Sequence, residues 1–239
     1  MTDNTNLQSA DRFAPFYDQE VPAKGWRGPE ILFGLMSSQV RPGDRLLDIG
    51  IGTGLGALPF HQAGLVIHGV DGSAEMLKVC EAKNIAVQLD LCDLEKDGLP
   101  YPDAFFDNVI ASGVFHLLGD LGRLFDEVSR VLKKQGWFAF TMDHPHTETG
   151  VPDTVLCQGG VLAFTNPQSG VRTYQHTETY VAGLLERCRL SVIQKQTFLA
   201  YPKTDWSDER YFDAYLTRIS LPGPSDPVSR VGRDLSRQR

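Results

Sequence analysis

One stretch constrains the fold more than any other: a short apolar run that merges into four alternating glycines. The run covers residues 46–51 with one acid inside, which is typical of a strand buried on both faces. Glycines stand at positions 50, 52, 54 and 56, and residues 55–60 open a helix. Glycine is needed where the backbone takes a positive φ or where a ligand leaves no room for a Cβ. Because the first N–H groups of a helix are unpaired, this unit predicts a nucleotide-binding loop that opens an α/β domain.

The acid inside the run, Asp48, indicates which kind of ligand the loop accepts. A pyrophosphate would be repelled by a carboxylate two residues before Gly50, whereas an ammonium group would be attracted. A G-x-G-x-x-A pattern also occurs from Gly52 to Ala57, but it begins two residues too far beyond the strand for a dinucleotide loop. The sequence therefore favours a ligand with a positively charged end.

Strands and helices alternate after the glycine loop. Ser73 and Asp120 are the expected N-caps of two helices, and the second helix is expected to end in a last turn with Lys133 and Lys134. Strands are predicted over 66–70, 85–91, 105–112 and 137–142. This alternation predicts a parallel sheet covered by helices on both faces. Beyond residue 143 the pattern changes to a hairpin (161–164 and 171–174), a helix (179–187) and two strands (191–201 and 211–219).

The segment Leu47-Asp-Ile-Gly-Ile-Gly-Thr-Gly54 resembles the first motif of the class I S-adenosylmethionine (AdoMet)-dependent methyltransferases. Over residues 13–142 the chain is most similar to the small stand-alone enzymes grouped with the Williams–Beuren-region methyltransferase-like proteins. The resemblance implies a Rossmann-like α/β fold: a central seven-stranded, mostly parallel sheet with its last strand antiparallel and helices on both faces. It also implies AdoMet as the cofactor and S-adenosylhomocysteine (AdoHcy) as the product.

These patterns divide the chain into a flexible N-terminus (1–12), a single methyltransferase domain (13–220) and a disordered tail (221–239). Within the domain, residues 13–42 are expected to form a helical lid and residues 43–142 the AdoMet-binding core. Residues 143–190 are expected to be an insert on the substrate side, and residues 191–220 to supply the closing strands.

Composition narrows the class of partner. Of the 239 residues, 41% are hydrophobic and 22% charged, which is ordinary for a soluble globular protein. The net charge of −7 would repel a polyanion on average, so no nucleic-acid partner is expected. No membrane-length apolar run and no signal peptide are visible, so no membrane partner and a cytoplasmic location are expected. The four cysteines are scattered without a C-x-x-C pair, which argues against a disulfide framework or a zinc site.

The resemblance assigns each part of AdoMet to residues of this chain. Asp71 at the end of the second strand would bind the ribose hydroxyls, although it could instead cap the following helix. Either Asp90 or Asp93 would accept from the adenine amine, and Asp93 keeps the family's spacing from Asp71. The full set of cofactor residues is Asp48, Gly50, Ile51, Gly52, Thr53 and Gly54; Asp71, Gly72 and Met76; Cys92, Asp93 and Leu94; Ser112, Gly113 and Val114; and Tyr17 and Trp26 from the lid.

The acceptor side is less defined. His116 is the candidate general base, with a structural histidine at the end of a strand as its alternative. His144, His146 and Tyr174 are candidate substrate residues, and Tyr101 and His176 could also line the pocket. No residue set completes a metal site, so no metal is expected.

The sequence thus predicts transfer of a methyl group to a small molecule, with O-methylation slightly favoured over N- or C-methylation. In-line displacement mainly requires that the acceptor be positioned. Three alternatives stay open: a protein or peptide methyltransferase, a non-catalytic binder of AdoMet or AdoHcy, and an NAD(P)-dependent oxidoreductase.

Overall fold

A seven-stranded sheet organises the chain. The computed structural model describes residues 5–144, 155–157, 160–166, 168–202 and 209–220. The strands of the sheet are β1 (Arg45–Ile49), β2 (Val66–Asp71), β3 (Gln88–Leu91), β4 (Phe106–Ala111), β5 (Leu132–Asp143), β9 (Leu190–Tyr201) and β10 (Arg210–Ile219). Their order is β3-β2-β1-β4-β5-β10-β9. Strands β1 to β5 pair in parallel, and β10 runs antiparallel to both β5 and β9. The predicted mostly parallel sheet with a reversed last strand is confirmed, and the reversed strand lies inside the sheet rather than at its edge.

Helices cover both faces of this sheet. They are α1 (Thr5–Phe13), α2 (Tyr17–Ala23), α3 (Gly28–Met36), α4 (Leu58–Gln62), α5 (Ala74–Ala82), α6 (Gly122–Val131) and α7 (Glu178–Arg187). The alternation of a strand sends neighbouring side chains to opposite faces. Leu46 accordingly packs with residues of α3 and α4, whereas Leu47 packs with residues of α6 and α7. The two cores hold β1 between them, and its last four residues are buried.

The N-terminal segment differs from the expected frayed end, because residues 5–13 form α1. Polar contacts hold this segment at the edge of the sheet where the glycine loop lies. Asp11 on α1 accepts from Ser73 Oγ at 2.6 Å. Asp18 on α2 accepts from Thr53 Oγ1 at 2.6 Å and pairs with Lys83. The polar residues of this segment indicated that it would be exposed to solvent. In the structure, Asp11 and Asp18 instead bond to side chains far away in the sequence.

The helix that follows Asp120 is shorter than expected. Helix α6 ends at Val131, and Leu132 already has extended dihedrals. Lys133 and Lys134 therefore belong to β5 rather than to a helical last turn. Lys133 bonds to Asp107 at 2.7 Å, which holds it beside β4.

The insert forms a small separate sheet. Its strands β6 (Val155–Cys157), β7 (Val161–Thr165) and β8 (Arg172–His176) are antiparallel, in the order β6-β7-β8. The predicted hairpin corresponds to β7 and β8. It packs against the 3-10 helix Phe115–Leu117, which follows β4.

No helix in the described part of the chain is long and apolar enough to cross a bilayer.

Candidate active site

A cleft of about 280 Å³ opens at the carboxyl ends of β1, β2 and β4. Parallel strands end at one edge of a sheet, and this edge is where α/β proteins place their ligands. The cleft brings together eleven of the predicted cofactor residues: Tyr17, Gly50, Gly52, Asp71, Gly72, Met76, Asp93, Leu94, Ser112, Gly113 and Val114.

The glycine loop forms the floor of this cleft. Gly50, Gly52 and Gly54 have φ angles of 69°, 55° and 90°, a region that side chains rarely adopt. A Cβ on Gly54 would lie 2.5 Å from Ile85 Cδ1, because the loop packs tightly on the core. A Cβ on Gly52 would come no closer than 4.0 Å to any other part of the protein. The loop therefore presents a bare backbone at Gly52 toward the space of the cleft.

Asp71 joins the second strand to this loop. Its Oδ2 accepts from the Gly52 N–H at 2.8 Å, and its Oδ1 accepts from the Ser73 N–H at 2.8 Å. The N-cap of α5 is Ser73, whose Oγ accepts from the Met76 N–H at 3.1 Å, as the sequence predicted. Burial raises the pKa of Asp71, and the backbone hydrogen bonds partly offset this shift. Each carboxylate oxygen retains a lone pair that can accept from a ligand hydroxyl.

Asp48 is a buried acid. It is 1% exposed, and neither of its carboxylate oxygens has a hydrogen bond to any residue that the structure describes. Burial, with the nearby Asp71 charge second, raises the pKa of Asp48 well above its ordinary value. A smaller cavity of about 20 Å³ adjoins Asp48 and shares Tyr17, Gly50 and Ser112 with the walls of the cleft. An unpaired buried carboxylate is costly, so this site fits the ammonium group that the sequence analysis expected.

The two candidate adenine acids differ in placement. Asp90 accepts from Tyr101 OH at 2.8 Å and from Gln88 at 2.8 Å, and it does not line the cleft. Asp93 lines the cleft beside Leu94, and its Oδ2 bonds to Lys96 at 2.6 Å. Of the two candidates, Asp93 is therefore the one that lines the cleft, where Glu95 supplies a second carboxylate.

Five predicted cofactor residues besides Asp48 do not line the cleft. The Ile51 side chain packs on Gly69, and Thr53 donates to Asp18. Gly54 faces the core, and Cys92 is 3% exposed. Trp26 lines the smaller cavity with Ile51 and packs edge-on against Phe212, with ring centroids 5.0 Å apart. These five residues lie behind the walls of the cleft rather than in them.

His116 lies in the 3-10 helix after β4. Its ring stands edge-on to Phe212 at 5.9 Å, and its buried Nδ1 has no hydrogen-bond partner in the described ranges of the chain. Burial lowers the pKa of His116, and the Asp143 carboxylate opposes this shift. A neutral imidazole with an unused nitrogen can take up a proton from a reacting group. His116 is not among the residues that line the cleft.

Two of the three predicted substrate residues, His144 and Tyr174, lie in the described part of the chain. His144 Nδ1 pairs with Asp213 Oδ1 at 3.0 Å, within a network that includes Thr197 and Lys195. Tyr174 on β8 packs near Gly119, and His146 lies outside the described residues. Tyr101 is buried against Asp90, and His176 bonds to the Gly119 carbonyl at 3.3 Å. Within the described ranges no three His, Cys, Asp or Glu side chains are grouped to hold a metal ion.

The roof of the cleft was not predicted from the sequence. Asn6 on α1 donates to the carbonyls of Leu117 and Arg172 at 3.3 and 2.8 Å, and its Oδ1 accepts from the Arg172 N–H at 2.9 Å. We call this set of bonds the Asn6 clasp. Its partners are up to 166 residues away, so no local pattern reveals it; only the spacing of Leu7, Ala10 and Phe13 hints at an apolar helix face. The missed lining residues are Asn6, Leu7, Ser9, Ala10, Phe13, Glu95, Leu117, Leu118 and Val171.

Comparisons with known proteins agree on one family. The family model described as a methyltransferase domain matches residues 47–140. Methyltransferase-like protein 27 of Homo sapiens is 39% identical over 112 residues, which are 45% of this chain and 45% of that protein. The chain thus spans about half the length of this relative. Demethylmenaquinone methyltransferase of Renibacterium salmoninarum is 34% identical over 170 residues, covering 71% of this chain and 69% of that protein.

A solved structure shares the fold. The Burkholderia thailandensis 1,6-didemethyltoxoflavin-N1-methyltransferase, with bound 1,6-didemethyltoxoflavin and S-adenosylhomocysteine, aligns with a TM-score of 0.63 at 18% identity. The alignment covers 91% of this chain and 87% of that chain.

Proposed function

The chain belongs to the class I AdoMet-dependent methyltransferases, and from this premise we propose that it methylates a small molecule, on oxygen. The observation that carries the proposal is the roof over the cleft. The Asn6 clasp ties α1 to β8 and to the 3-10 helix, so the site is enclosed from two directions. An enclosed site of this kind accepts a small molecule more readily than the surface of a folded protein. The net charge of −7 also supports an acceptor other than nucleic acid.

The residues at the cleft fit AdoMet. Asp48 would face the ammonium group, and the bare backbone at Gly52, with Gly50 beside it, would take the amino-acid end. Asp71 would accept from the ribose hydroxyls, and Asp93 from the adenine amine. Met76 and Leu94 supply apolar contacts from the same wall. When bound, AdoMet supplies a methyl group on an already activated sulfonium.

The other requirements of the reaction must be met by the protein's own residues. The protein must exclude water and hold the acceptor in line, and such positioning is worth on the order of 7–11 kcal/mol. We assign His116 as the general base that receives the acceptor's proton. Its lowered pKa keeps it neutral near pH 7, so it can accept a proton there. The Burkholderia enzyme is named an N1-methyltransferase, so the shared fold leaves the choice of oxygen to experiment.

The experiment is a product assay with the full chain. Purified protein is incubated with AdoMet and a panel of small alcohols, phenols, carboxylic acids and amines, and AdoHcy and methylated products are measured by mass spectrometry. A peptide library is tested in parallel. We expect methyl esters or ethers from the small-molecule panel. Products from amines alone would contradict oxygen as the acceptor atom, and products from peptides alone would contradict a small-molecule acceptor.

A further inference from the structure

An ion pair joins the ends of strands β5 and β10. Asp143 is the last residue of β5, and Arg210 is the first of β10. Arg210 Nη2 lies 2.8 Å from Asp143 Oδ2, and the Asp143 side chain is 10% exposed. The other carboxylate oxygen, Oδ1, is buried and has no hydrogen-bond partner among the described residues. Arg210 therefore satisfies one half of this carboxylate and leaves the other half unsatisfied.

The Phe212 ring lies next to both the ion pair and His116. Phe212 lies opposite Asp143 in the register of β10 and β5. Cross-strand neighbours in an antiparallel pair present their side chains on the same face, with Cβ atoms about 4.5–5.5 Å apart. The His116 ring is 5.9 Å from the Phe212 ring, and the Arg210 guanidinium is 5.7 Å from it. His116, Asp143 and Arg210 thus surround one aromatic side chain.

The charged groups near His116 come from three strands. Burial lowers the pKa of His116 most; Asp143 on β5 raises it, and Arg210 on β10 and His176 on β8 lower it. Asp143 is the only anion among these four influences. Since a buried imidazole resists protonation, a nearby carboxylate is what makes the charged form attainable.

We propose that Asp143, oriented by Arg210, is a positioning residue that keeps His116 able to take up a proton during methyl transfer. The proposal rests on the role of His116 as the base. As the methyl group bonds to the acceptor oxygen, its bond to the sulfonium sulfur would break and AdoHcy would be the leaving group. The acceptor's O–H bond would also break, its proton would move to Nδ1 of His116, and the Asp143 charge would compensate the imidazolium. Arg210 is needed because a buried carboxylate without a cation would itself take up a proton.

The test measures the protonation of the His116 imidazole directly. The ring C–H signals of His116 are titrated by NMR in protein saturated with AdoHcy, and His116→Gln identifies them. We expect Asp143→Asn to lower the pKa of His116 by about half a unit or more, because the compensating charge is lost. Glu209→Gln, which removes an exposed charge next to Arg210 in sequence, should leave it unchanged. If Asp143→Asn does not fold, Asp143→Ser removes the same charge with less volume.

Two results would overturn the proposal. One is a pKa of His116 that does not change when the Asp143 charge is removed. The other is a wild-type His116 that stays neutral throughout the pH range in which the protein is folded. The titration needs no acceptor, so its outcome is separate from the product assay: a negative assay with a positive titration would refute the proposed acceptor class and not the coupling of Asp143 to His116.

Discussion

The Asp71 carboxylate accepts the Gly52 amide at 2.8 Å, so the acid that ends β2 fixes the glycine loop that follows β1. The second oxygen accepts from Ser73 at the start of α5. One side chain therefore sets the relative position of the loop floor and the wall of the cleft. A ligand that bonds to Asp71 meets a site that is already arranged, which reduces the entropy lost on binding.

Asp71→Asn should weaken AdoHcy binding by about tenfold or more, because the amide lacks the charge that strengthens bonds to the ribose hydroxyls. Isothermal titration calorimetry measures the effect, and circular dichroism checks the fold. Asp90→Asn is the matched control, since Asp90 bonds to Tyr101 outside the cleft. An equal loss of affinity in both variants would contradict the assignment of the ribose contact to Asp71.

Gly54→Ala should destabilise the protein by about 2–4 kcal/mol, because it combines a φ of 90° with a clash against Ile85 and Cys80. Gly34→Ala is the control: it lies in α3 and a Cβ there would meet nothing within 4 Å. Helix propensity predicts a gain of up to about 1 kcal/mol for that change. Urea unfolding measures both variants, and equal stabilities would show that the loop is not held as tightly as described.

Asp48→Asn should stabilise the ligand-free protein at pH 8 and weaken AdoHcy binding. The folded pKa of Asp48 is raised, so its ionised form lowers stability above that pKa, and this cost disappears as the pH falls and the group takes up a proton. The difference in Tm between variant and wild type should therefore be larger at pH 8 than at pH 5. A difference that grows toward pH 5 would mean that an unseen donor satisfies Asp48.

His116→Ala should retain AdoHcy affinity within about twofold while turnover falls by about 10²–10⁴, the usual contribution of a general base. Calorimetry and the product assay separate the two effects. His61→Ala on the exposed side of α4 should change neither. Unfolding of His116→Ala would instead favour the alternative of a structural histidine.

Asn6→Ala should speed the dissociation of AdoHcy, because three bonds between α1 and the opposite wall are lost. Stopped-flow displacement measures the rate. Arg12→Ala, exposed on the same helix, is the control. An unchanged rate in Asn6→Ala would mean that ligands leave by a route that α1 does not cover.

Local signals predicted the fold and much of the floor of the site. The glycine spacing, Asp71 and the Ser73 cap are features of short segments, and each is placed as expected. Helix α1 was not predicted, because its polar side chains bond to residues far along the chain, as Asp11 does to Ser73. The pairing of His144 with Asp213 was also hidden, since it depends on the register of β5 and β10.

The Asn6 clasp has a kinetic consequence. Helix α1, which covers the cleft, is bonded to the β7–β8 hairpin, which we propose borders the acceptor, so the two halves of the site would open together. AdoMet binding and AdoHcy release would then require the same opening of the roof. AdoHcy would stay bound until the roof opens. This shared opening would limit the turnover rate. Strong product inhibition by AdoHcy would be the observable result.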